Sequence, residues 1–98
     1  MKHVRFHPLA DAEVEAETRY YRRQASAEVS RRFVDAVEQA VRLALEYPNA
    51  GSEELANTRR LQLKGFPYSL VYRPEGDEIV VFAVAHHARE PGYWRARS

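Results

Sequence analysis

The chain contains no cysteine in its 98 residues. Without a thiol there is no disulfide, no thiolate nucleophile and no cysteine-ligated zinc, so packing alone must hold the fold. No apolar run approaches the length that crosses a bilayer. The first residues, MKHVRFHPLADAEVE, hold no apolar signal segment and turn acidic within the first dozen positions. The expectation is a soluble, cytoplasmic protein with no membrane contact. No repeat, low-complexity tract or linker interrupts the chain, and its length supports one core, so residues 1–98 are expected to form a single domain. His3 and His7, and the adjacent His86 and His87, lack companions at zinc or iron spacing, so neither a metal nor another cofactor is expected.

What is present is ordinary in amount and uneven in placement. The chain is 45% hydrophobic and 30% charged, with a net charge of +1. Residues 1–57 carry 10 acids and 8 bases, whereas residues 58–98 carry 4 acids against 7 bases, a local balance of +3. That excess suits an acidic protein partner or RNA, and is smaller than the footprint of an autonomous nucleic-acid binder.

Val4 and Phe6 alternate with His3 and Arg5, which predicts a short first strand ended by Pro8. Pro8 also suits a helix's first turn, and Asp11, Glu13, Glu15 and Glu17 favour its N-terminal end, so a helix is expected from Pro8 to Gln24. Leu9, Ala12, Ala16 and Tyr20 are expected to be its buried line, with Val14 and Tyr21 beside it. Ser26 should cap a second helix, buried through Val29, Phe33, Val37, Ala40, Ala44 and Tyr47 and stopped by Pro48. With Ala25 and Ser26 alone left to turn, the two helices should form an antiparallel hairpin. Residues 49–57 read as a loop, followed by strands at 58–64, 68–73 and 78–85, with a hairpin turn over 73–77. Residues 79–85 are apolar on both faces, the mark of a central strand. The expected fold class is α+β in the order β-α-α-β-β-β, with the N-terminal strand and three C-terminal strands in an antiparallel sheet and the helical hairpin on one face.

Several residues in that order carry a resemblance. Phe6, Pro8, Glu13, Tyr20 and Tyr21 come first, then Phe33, Pro48, Gly51 and Arg60, then Phe66-Pro67-Tyr68 leading to Val71 and Tyr72, and finally VAHHAREPGYW from Val84 to Trp94. Their ordered combination, spanning nearly the whole chain, resembles the RelE/ParE toxin superfamily, and its ParE-like branch in particular. His87 and Ala88 depart from the common form, where relatives often carry glycine, glutamine or a further arginine. The resemblance implies a bacterial growth inhibitor, the toxin of a type II toxin-antitoxin module of the plasmid-stabilising kind. It implies a non-enzymatic ParE-like inhibitor that binds DNA gyrase and leaves cleaved DNA unrepaired. It implies a cognate antitoxin as partner, in a hetero-oligomer.

No catalytic residue is assigned on this reading. The alternative is a RelE-like endoribonuclease acting on messenger RNA at the ribosome, for which Arg60, His86, Arg89 and Tyr93 would supply charge and proton transfer. A second alternative is an inactive relative that only binds partners. Arg59, Arg60, Lys64, Arg73, Arg89, Trp94, Arg95 and Arg97 are the candidates for contacting antitoxin or target, because an acidic segment that folds on binding suits a basic sheet and tail. Against this stand simpler roles: a solvated sheet face for the arginines, a structural His86, and Tyr93 with Trp94 folded back over the sheet by a turn at Pro91 and Gly92.

Overall fold

A computed structural model describes residues 2–98. The elements run β1 (His3–Phe6), α1 (Pro8–Gln24), α2 (Ala27–Glu46), β2 (Ser52–Glu54), β3 (Thr58–Gln62), β4 (Tyr68–Glu75) and β5 (Glu78–His86). One sheet of order β1-β5-β4-β3-β2 carries the helical hairpin on one face. The α+β architecture is as expected, with differences in detail.

The first strand is parallel to β5, pairing His3 with Glu78 through Phe6 with Val81, so the sheet is mixed and only β2 to β5 are antiparallel. A parallel neighbour needs a long crossover, and the chain between these two strands supplies one. The segment read as a loop contains β2, whose Ser52, Glu53 and Glu54 pair with Arg60, Arg59 and Thr58. A three-residue edge strand with no apolar alternation leaves no periodic signal. The last hairpin is also tighter than expected, because β4 runs on through Pro74 to Glu75 and the turn is Gly76-Asp77. Pro74 is tolerated there since the pairing with β3 has already ended at Tyr72.

The α2 helix is capped by Ser26, whose hydroxyl accepts from the Val29 amide at 3.1 Å. It buries Phe33, Ala36, Val37, Ala40 and Ala44, while Tyr47 lies 58% exposed. Helix α1 turns a different side inward from the one expected. Leu9 and Tyr20 are exposed, as are Ala12 and Ala16. Ala10 is fully buried, and Glu13, Val14, Glu17, Thr18 and Tyr21 are part-buried. The apolar line and the inward line differ by about one residue, a rotation of roughly 100°. Glu13 explains the choice, because its carboxylate is held by the Val84 amide and by Arg97.

Two clusters absorb most of the motif residues. Phe33 meets Tyr21, Phe66 and Tyr68 with ring centroids 5.4, 5.3 and 5.1 Å away, and Tyr68 stands edge-on to His86 at 4.9 Å. Behind the end of α2, the Tyr72 hydroxyl donates to the Pro48 carbonyl at 2.8 Å and accepts from the Gly51 amide at 2.9 Å. A Cβ on Gly51 would stand 2.9 Å from both the Tyr72 ring and the Arg60 carbonyl, so only glycine fits this crossing.

Candidate functional site

The face of the sheet away from the helices holds a small cleft. Strand alternation places Arg60, Ser69, Val71, Ala83 and Ala85 on that face, with Val71 paired to Arg60 on one side and Ala83 on the other. The chain leaving β5 then turns back through Pro91 and Gly92, whose φ of +77° favours glycine, and lays Trp94 on Val71 and Ala83. Trp94 is only 4% exposed. The aromatic pair therefore folds back over the sheet. Between this tail and the strands lies a cleft of about 160 Å³ rimmed by Glu54, Arg60, Ser69, His87, Arg89 and Tyr93.

Inside it, Arg60 pairs with Glu54 across β2 and β3 at 3.5 Å. His87 Nε2 and Ser69 Oγ are 3.0 Å apart. The Arg89 guanidinium lies 3.7 Å from the centre of the Tyr93 ring. His86 serves the backbone: its Nδ1 accepts from the Ala88 amide at 2.9 Å, and its ring covers Tyr68.

Beyond Phe6 the edge of β5 has no strand neighbour, and side chains take that place. Glu13 Oε1 accepts from the Val84 amide at 3.0 Å, and Arg97 donates to the Phe82 carbonyl at 2.8 Å. The same Glu13 carboxylate accepts from the Tyr93 hydroxyl at 2.7 Å and takes both terminal nitrogens of Arg97 at 3.1 and 3.0 Å. Burial first, and then the Glu13 carboxylate, pushes the Tyr93 phenol above its ordinary range, against the pull of Arg89 and Arg97. A phenol held protonated this way is a poor proton acceptor.

The eight basic and aromatic candidates thus divide. Arg60, Arg89 and Trp94 meet at the cleft. Arg73, Arg95 and Arg97 border an adjoining hollow under Trp94 and Phe82, where Arg73 also pairs with Glu75 at 2.9 Å. Arg59 instead ties the loop after α2, donating to the Gly51 carbonyl at 2.7 Å. Lys64 lies elsewhere, beside α2 with Arg32, Asp35 and Phe66. Of the residues named for a nuclease, His86 is engaged with the backbone and Tyr93 with Glu13, while Arg60 and Arg89 share the cleft.

Sequence reasoning passed over Glu13 and Ser69 as site residues. Ser69 was discoverable by parity, two positions before Val71 on a strand. Glu13 was hidden among four acids that the helix dipole already explained.

These features define a class: a helix-backed sheet whose free face presents an arginine-rimmed cleft closed by the chain's own tail. The sequence pattern of the family described as the ParE toxin of type II toxin-antitoxin system, parDE, matches residues 4–91. The chain belongs to this ParE toxin family, and an antitoxin partner goes with that membership. A solved chain described as from the chromosomal ParDE TA system from P. aeruginosa is similar in fold, with a TM-score of 0.75 and 21% identity over 88% of this chain and 96% of that one. No curated protein matches the chain. Among the described residues no helix is long and apolar enough to cross a membrane.

Proposed function

We propose that this toxin acts in the cytoplasm by binding and inhibiting DNA gyrase, using the arginine-rimmed face of the sheet. Its antitoxin silences it by laying an acidic segment, folded on binding, across the same face. The observation that carries binding over catalysis is the fate of Tyr93. A ribonuclease of this superfamily would need a proton acceptor and a charge stabiliser at one phosphate, whereas Tyr93 and Arg97 are both committed to Glu13.

Purified gyrase supercoiling measured beside in vitro translation tests the proposal. The parent protein should stop supercoiling and leave translation intact. His86→Ala and Tyr93→Phe should stay inhibitory, because neither is asked to move a proton. Loss of translation with unaffected gyrase would sink the reading.

One observation favours a second reading, the ribosome-dependent nuclease. His87 and Ser69 touch within the cleft that Arg60 and Arg89 enter, which places a titratable ring near two cations. On that reading His87→Ala, not Tyr93→Phe, removes messenger cleavage by roughly 100-fold or more.

A further inference from the structure

Glu13 sits on α1 and lines no part of the cleft, yet it holds the tail that forms one of the cleft's walls. Its carboxylate collects four hydrogen bonds from three places, the Val84 amide, the Tyr93 hydroxyl and the Arg97 guanidinium. The Arg97–Glu13 pair is largely shielded, with side chains 12% and 17% exposed. Arg89, by contrast, takes part in no ion pair among the described residues. What orients its guanidinium is the Tyr93 ring, and what stops that ring from swinging is the hydroxyl tied to Glu13. A free arginine surrenders rotamer freedom when it engages an anion, whereas one already resting on a fixed ring has surrendered part of it beforehand.

We infer that Glu13 is the positioning residue for Arg89: it fixes Tyr93, and Tyr93 presents the Arg89 guanidinium to whatever enters the cleft. The inference rests on the cleft being the surface that meets the target. It predicts that a substitution on the far side of the sheet edge alters the cleft without touching it.

Two variants open the tie from opposite ends. Glu13→Gln leaves one acceptor oxygen where Val84 and Tyr93 each use their own and removes the charge that Arg97 answers, and Tyr93→Phe leaves Glu13 intact and takes away only the hydroxyl, so a folding defect in one does not decide the matter. In proton NMR of the whole chain, the Arg89 side-chain signals should be ring-shifted in the parent. They should move toward unshifted positions in both variants, while the methyl signals of Leu63, Leu70 and Ile79 stay in place. With purified gyrase, Arg89→Ala should weaken binding about tenfold, the order expected of one partly desolvated cation contact. Glu13→Gln should weaken it by a smaller factor, and the double variant should lose no more than Arg89→Ala alone. Arg89 signals that remain ring-shifted in both variants, or losses that simply multiply, overturn the inference. If Arg89→Ala costs nothing on gyrase, the choice of target surface fails instead, and the NMR comparison still decides the role of Glu13.

Discussion

At the scale of single residues, the tyrosines carry more than packing. Tyr68 and Tyr93 both hold their protons more firmly than free phenols do. Burial is the larger cause for each, followed by the Tyr21 hydroxyl and Glu17 at Tyr68, and by Glu13 at Tyr93. In the unfolded chain these phenols ionise near pH ~10. Above that pH the unfolded state binds fewer protons than the folded one, so the stability they confer is whole below about pH 10 and falls as pH rises further. Denaturant melts between about pH 8 and about pH 11 should show this alkaline decline, and Tyr93→Phe should flatten it. An unchanged slope in the Tyr93→Phe protein would mean that its hydroxyl is no better shielded than in the unfolded chain.

At the scale of elements, the two helices teach opposite lessons. The α2 pattern was legible because its inward side is purely apolar, and Phe33 lies where the pattern put it, fully buried among three aromatic rings. Truncating Phe33 to alanine should cost about 3–5 kcal/mol, read as a shift of the urea midpoint. A midpoint like the parent's would mean that the cluster collapses to fill the space. In α1 the hydrophobic count misled, because the helix turns Glu13 inward to a partner 84 residues away in the chain. Local periodicity carries no word of that partner. The same limit governs the rest of the site. Motif residues such as Tyr21, Phe33, Phe66, Tyr68 and Tyr72 proved to be scaffold, which is why they revealed the fold so well. The pairing of Ser69 with His87, of Arg60 with Glu54 and of Arg89 with Tyr93 depends on strand register and on the return of the tail. The strand β1 was expected but not its parallel direction, since pairing direction leaves no mark on a short strand, and the polar β2 was read as loop because it has no apolar alternation.

At the scale of the molecule, the sheet divides labour between its faces. One is sealed by the helices, and the other presents Arg60, Arg73, Arg89, Arg95 and Arg97 around a buried tryptophan. If the antitoxin lays acidic residues there, reversing Arg60 and Arg73 to glutamate should weaken the complex and reduce its dependence on salt. Titrations at low and high ionic strength measure both, beside a melting curve because Arg73 also stacks on Phe82 at 4.7 Å. Equal affinity at low salt would take this face out of the interface.

The strand order also says when the molecule can exist. The strand β5, flanked by β1 and β4, comes last of the five in chain order, and its parallel neighbour β1 comes first. During synthesis the helical hairpin emerges with no sheet to cover, and β1 waits for a partner more than 70 residues downstream. The tail that closes the cleft follows later still. The pairings that join β1 to the rest of the sheet form only once β5 is available, so completion of the core waits on that strand. A chain that has not yet made β5 has its cleft unbuilt and the apolar side of α2 uncovered, so it should show neither the stability nor the binding of the finished molecule.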